Sequence, residues 1–206
     1  SDIMNVTKEA GLREFEFSSD LPVVFVVGGS RGAKKINESV LAIAKHCIKH
    51  NDFQMLHMTG QTQYEAVKES YNREGIPLKD KYIKVVPYLH NMPYALAASD
   101  VIISRCGAST LSEITALGKP SILIPYPYAT DNHQEYNARA LEKNGAAVVI
   151  LERDLNDQIL YDEVMNMLSN KVKTKEMADR SRRMAKVDAA GLIFEEADKL
   201  LQKKRQ

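Results

Sequence analysis

Six short runs rich in aliphatic residues recur along the chain, a stretch with helical spacing follows each, and this alternation constrains the fold more than any other feature. The runs are "PVVFVVGG" (22–29), "DFQMLHMTG" (52–60), "KYIKVVPYL" (81–89), "SDVIIS" (99–104), "PSILIPYP" (120–127) and "AAVVIL" (146–151). Apolar residues at consecutive rather than alternate positions mark strands buried on both faces, so the expectation is a six-stranded parallel sheet with helices on both faces. Between the first two runs, Ile36, Val40, Ile43, Ala44 and Cys47 recur at helical spacing. Further helices are expected over "TQYEAVKESYNRE", around Met92 to Ala98, from near Ser109, and over "DNHQEYNARALEKNG", which Gly145 closes. From about Asn156 the pattern is helical to the end, with breaks near Lys171 and Val187. The fold class is therefore α/β, a Rossmann-like domain over residues 21–206. Residues 1–20 are polar with a weak helical stripe and read as a connecting linker rather than a core element.

A chain of 206 residues can bury such a core without metal or disulfide support. Its formal net charge of +1 creates no bulk field for nucleic acid or anionic lipid, so no nucleic-acid partner is expected and any anion must be held locally. The basic C-terminal stretch "KVKTKEMADRSRRMAK" is interrupted by acids and reads as a solvated helix face. Cys47 and Cys106 lack CxxC spacing and read as packing residues in a reducing compartment. His46, His50 and His57 are not spaced as metal ligands, and neither metal nor cofactor is expected. No apolar run approaches the roughly 20 residues of a membrane span, and the N-terminus carries no signal pattern, so a cytoplasmic location is expected.

In open α/β sheets ligands sit beyond the carboxyl ends of the strands. That rule selects residues 28–33, 59–61, 88–92, 104–113 and 125–134. The first junction, "GGSRGAKK", can bring Gly29, Ser30, Arg31 and Gly32 close to a phosphate, or can be a tight turn. It is not a P-loop, because Ala33 stands where the second glycine belongs, and it is not GxGxxG, because Ser30 stands at its second glycine. The fourth junction, "SRCGASTLSE", joins Gly107 and the small residues Ala108, Ser109 and Thr110 at a helix start, where the positive dipole end favours a diphosphate. Either Ser109 or Ser112 can serve as the N-cap. Glu113, four residues after Ser109, suits a ribose diol or else complements the helix dipole. Arg105 either braces the loop or reaches phosphate. In the fifth junction Gln134 and Asn137 offer amides that match sugar hydroxyls, and His133 lacks the partners of a general base.

Taken in order and spacing, "GGSRGAKKIN", "SRCGASTLSEITALGKPSILIPYP" and "DNHQEYNARALEKNGAA" resemble the C-terminal, donor-binding half of the MurG family of bacterial glycosyltransferases, over about residues 20–200. The resemblance implies the C-terminal half of a GT-B fold that binds UDP-N-acetylglucosamine for inverting transfer of N-acetylglucosamine to lipid I, giving lipid II. It implies that Ser30 contacts the donor diphosphate and that the Leu89 backbone holds the uracil. It further implies that Ala108, Ser109 and Thr110 supply amides near the phosphates, that Leu111 and Ser112 join them in the substrate site, that Glu113 binds the ribose hydroxyls, and that Gln134 reads the sugar hydroxyls. The family's general base and lipid-facing surface belong to an N-terminal acceptor domain, so no catalytic residue is assigned here. The chain is expected to be an excised donor domain, inactive alone, of an enzyme peripheral on the cytoplasmic membrane face. The family's last helix, here "AGLIFEEADKLL", is expected to turn an apolar face toward that N-terminal domain. The alternatives are a separately encoded donor subunit and an epimerase-like domain with the same architecture.

Overall fold

The computed structural model describes residues 2–185. The expected helical break near Val187 and the "AGLIFEEADKLL" segment lie outside the described residues.

The six strands are β1 (Val23–Val27), β2 (Gln54–Met58), β3 (Ile83–Val86), β4 (Val101–Ser104), β5 (Ser121–Leu123) and β6 (Val148–Val149). They form one fully parallel sheet in the order β3-β2-β1-β4-β5-β6. Helix α1 (Lys8–Glu14) precedes the sheet, α2 (Lys34–Ser39), α3 (Leu41–His50), α4 (Tyr64–Arg73), α5 (Met92–Ala98), α6 (Ala108–Leu117) and α7 (His133–Lys143) connect the strands, and α8 (Asp157–Ser169) and α9 (Lys171–Arg183) follow β6. Two apolar clusters occupy the two faces of the sheet. Val24 and Val26 face one layer with Ile36, Ile43, Val67 and Leu160, from α2, α3, α4 and α8. Val23, Phe25 and Val27 face the other, with Leu12, Leu96, Ile114 and Leu141, from α1, α5, α6 and α7. Alternate residues of one strand thus feed both layers, and this explains why β1 is buried at every position.

Three differences from the sequence expectation have simple causes. Strands β3 and β6 are not buried on both faces throughout, because they are the sheet edges; β3 alternates buried and half-buried positions, and β6 is a half-buried pair. The expected helix after β1 is divided at Val40, which ends α2 and begins α3. The third difference lies in the first twenty residues, which contribute to the core. Thr7 caps α1 by accepting from the Ala10 N–H at 3.2 Å, and Leu12 and Phe17 are buried. Gly11 allows α1 to lie against α5 so closely that a Cβ there would stand 2.5 Å from the Tyr94 carbonyl oxygen. Lys8 pairs with Asp100 and the Asn91 amide donates to Glu14, so both ends of α1 are tied down. Its polar residues face solvent and only a narrow stripe is apolar, which hides a short docked helix from a periodicity reading.

Candidate functional site

The strand order reverses between β1 and β4: the chain leaving β1 proceeds toward β2, and the chain leaving β4 proceeds toward β5 on the other side. Such a switch point opens a crevice beyond the strand ends. A cavity of about 790 Å³ lies there. Gly29, Arg31 and Gly32 line it from the β1–α2 loop, Arg105, Gly107 and Thr110 from the β4–α6 junction, and Gln134 from α7. Residues from three junctions, far apart in sequence, therefore meet in one place.

The start of α6 differs from both N-caps considered from the sequence. Neither Ser109 nor Ser112 occupies the cap position; Gly107 does, and no side chain caps the helix. Ala108 already belongs to the first turn, and the first helical bond runs from the Leu111 N–H to the Gly107 carbonyl at 3.0 Å. The amides of Ala108, Ser109 and Thr110 are left without intrahelical or capping acceptors. By contrast α8 and α9 are closed by Asn156 and Asn170, whose side chains accept from the helix amides. An open N-terminus of a ten-residue helix, across the cavity from Arg31 of the β1–α2 loop and from Lys34 and Lys35 at the start of α2, is a ready anion site. The loop is held by the neighbouring one: the Gln61 N–H donates to the Ser30 carbonyl at 3.1 Å, and the Thr62 hydroxyl to the Arg31 carbonyl at 2.6 Å. The Ser30 side chain is exposed and makes no hydrogen bond among the described residues.

Arg105 is a brace. Its guanidinium donates to the carbonyls of Ile124 at 3.2 Å and Pro125 at 3.1 Å, pairs with Glu152, and lies 5.4 Å from the centre of the Tyr126 ring. It ties together the loops after β4, β5 and β6. Gln134 ties loops in the same way, since its Oε1 accepts from the Cys106 N–H at 3.2 Å and the Tyr126 N–H at 3.0 Å. That leaves the Nε2 amide, a donor only, without a partner among the described residues.

Glu113 is half-buried, and burial raises its carboxyl above the usual carboxylate range. No donor or cation meets it among the described residues. Leu89 is buried in the α5-side core, so it can offer a ligand only main-chain groups. Ala108, Leu111, Ser112 and Asn137 line a second groove, of about 270 Å³, between α6 and α7 rather than the main cavity. His133 is exposed, with Nδ1 2.7 Å from the Thr130 carbonyl, a local turn contact. Cys106 is buried, and its thiol is pushed up to about 12, which fits packing rather than chemistry. The residue missed from the sequence is Glu152, which lines the cavity and neutralises Arg105. It follows β6, whose carboxyl end is the one strand end outside the selected junctions. Among the described residues no group of three His, Cys, Asp or Glu side chains could hold a metal ion, and no helix is long and apolar enough to cross a membrane.

Residues 23–193 match the family model described as the glycosyltransferase family 28 C-terminal domain. A curated relative, the UDP-N-acetylglucosamine–N-acetylmuramyl-(pentapeptide) pyrophosphoryl-undecaprenol N-acetylglucosamine transferase of Thermoanaerobacter sp. (strain X514), is 48% identical over 193 residues, 94% of this chain and 52% of that protein. The crystal structure of MurG from Acinetobacter baumannii superposes with a TM-score of 0.76 at 28% identity, over 97% of this chain and 55% of that one. UDP-GlcNAc 2-epimerase from Neisseria meningitidis, bound to UDP-GlcNAc, shares the fold at a TM-score of 0.64 and 15% identity, over 93% of this chain and 48% of that one. The chain spans about half the length of the curated relatives it matches. With a family match over most of its residues and a relative at this identity, the chain belongs to the glycosyltransferase family 28 C-terminal domain family.

Proposed function

We propose that this chain is the donor-binding half of an N-acetylglucosaminyltransferase and holds UDP-N-acetylglucosamine across the β1/β4 switch point. The observation that carries the reading is the open N-terminus of α6 set against the β1–α2 loop. The diphosphate lies on the amides of Ala108, Ser109 and Thr110, with the Ser30 hydroxyl and the Arg31 side chain on its other side. Glu113 accepts from the ribose hydroxyls; a partly desolvated carboxylate with no partner among the described residues gains most from such donors. The uracil is met by the main chain at Leu89. Nε2 of Gln134 donates to the sugar, while its oxygen keeps the two loops in place.

In this reading the acceptor is the lipid-linked N-acetylmuramyl-pentapeptide diphosphate named in the curated relatives. It is held by an N-terminal domain that also supplies the base, at the cytoplasmic face of the membrane. Inverting transfer needs the acceptor hydroxyl and the base aligned on the anomeric carbon, so this chain alone binds donor and transfers nothing. Calorimetric titration of the 206-residue chain with UDP-N-acetylglucosamine, UDP and ADP tests the reading. Preference for both uridine nucleotides supports it; equal affinity for ADP overturns it.

A further inference from the structure

A chain of buried polar side chains lies directly beneath the β1–α2 loop. His57, at the fourth position of β2, is fully buried. Its Nδ1 is 2.9 Å from the Tyr71 hydroxyl on α4, and its Nε2 is 3.0 Å from Oδ1 of Asn37 on α2. The Asn37 amide nitrogen donates to the Thr59 carbonyl at 2.9 Å. This last bond fixes the protons of the whole chain. With the Asn37 nitrogen on a carbonyl, Oδ1 is the acceptor toward His57, so Nε2 carries the hydrogen and Nδ1 receives the Tyr71 O–H. Burial lowers the His57 pKa to about 3, so the imidazole stays neutral at physiological pH and shuttles no proton.

The end of this chain is also the seat of the loop. A Cβ placed on Gly32, whose φ is +85°, would stand 2.2 Å from the Thr59 carbonyl oxygen; one on Gly60 would stand 2.0 Å from the Gly32 nitrogen. The two loops touch backbone to backbone, and the carbonyl at their contact is the one Asn37 holds. Apolar side chains of similar size would fill the same space without the desolvation penalty of polar groups, so a fully satisfied polar chain here points to a demand for position rather than for packing. We infer that Tyr71, His57 and Asn37 are positioning residues that fix the height of the β1–α2 loop against the end of β2, and thereby set affinity for the diphosphate of the ligand. The inference rests on the donor-site reading above for the identity of that ligand, but not for the coupling to the loop.

The test compares Asn37→Leu, which removes the bond to Thr59, and Tyr71→Phe, which removes only the distant hydroxyl, with Val67→Ala, a cavity in the same layer that leaves the chain of bonds intact. Amide hydrogen exchange is read at Gly32 and Gln61, whose N–H groups hold the loop, and at Leu56 within β2 as a global reference. Exchange at Gly32 and Gln61 is expected to rise roughly tenfold more than at Leu56 in Asn37→Leu, and in the same sense in Tyr71→Phe, but not in Val67→Ala. UDP affinity should fall roughly tenfold in Asn37→Leu with affinity for uridine unchanged. If all three variants raise exchange alike and leave the UDP-to-uridine ratio alike, the chain of bonds is packing and the inference fails. Should Asn37→Leu fail to fold, Tyr71→Phe alone decides by the same comparison. A wild-type chain that binds no UDP sinks the donor-site reading, while the exchange measurements still decide the coupling.

Discussion

Gln134 commits its amide oxygen to the Cys106 and Tyr126 N–H groups, and its nitrogen, without a partner among the described residues, is the donor the proposed site assigns to the sugar. A Gln134→Glu substitution keeps two acceptor oxygens for the loops but removes that donor. UDP affinity is therefore expected to hold while UDP-N-acetylglucosamine loses about tenfold, the worth of one hydrogen bond of roughly 1.4 kcal/mol. Equal losses for both ligands would show that the amide serves the loops alone. Glu113 makes a different prediction, since it has no partner among the described residues and its carboxyl is raised by burial. Glu113→Ala should weaken UDP by more than the roughly 0.3–1 kcal/mol of a helix-dipole contact and weaken 2′-deoxyuridine diphosphate by less, since that nucleotide offers only its 3′-hydroxyl. Parallel losses for the two nucleotides would remove Glu113 from the ribose. That Gln134 lines the cavity was legible from its position after a strand, whereas Glu113, one turn into α6, is not among the residues lining it. The commitment of the Gln134 oxygen, and the conversion of Arg105 into a brace by Glu152, were not legible, because their partners lie 8 to 47 residues away.

Among the elements, the contrast is between helices that close themselves and helices that are left open. Asn156 and Asn170 satisfy their own helix amides, whereas α6 begins at Gly107 with no side chain able to do so. The sequence placed a helix start here and offered two serines as caps. Backbone geometry moved the start ahead of both, with Gly107 extended at φ −65° and ψ 146°. Helix α1 is the opposite case, a short element whose docking depends on a single glycine. In Gly11→Ala the new Cβ would meet the Tyr94 carbonyl oxygen at 2.5 Å and the Ala98 nitrogen at 2.7 Å, both main-chain atoms that cannot swing aside. The two helices must separate, and urea unfolding should register a loss of about 1–3 kcal/mol. An unchanged midpoint would mean that α1 is not docked in solution. Seven residues with two buried positions carry too little pattern to announce a helix that belongs to the core.

For the molecule as a whole, the buried His57 gives stability a defined pH dependence. An imidazole in water titrates near 6.5, and burial lowers the folded pKa of this one to about 3; the titratable group it touches, Tyr71, is raised by burial and stays neutral. Between these two values the unfolded chain binds a proton that the folded chain refuses. Stability should therefore fall with acidification through this window, by up to about 1.4 kcal/mol per pH unit from this residue. His57→Gln should flatten the slope between about pH 4 and 6 relative to wild type; an identical slope would show that the imidazole is protonated in the folded state. The amino-acid sequence by itself determined the six strands, the parallel sheet and the strand-end junctions, three of which line the cavity, because consecutive apolar runs and glycine-bearing turns are local signals. Only the tertiary structure decided that β1 and β4 are neighbours, that their loops diverge over one cavity, and that Arg105, Gln134 and His57 act through distant partners. Strand order and cross-loop hydrogen bonds are set by the packing of both layers at once, and no single stretch of the chain contains that information.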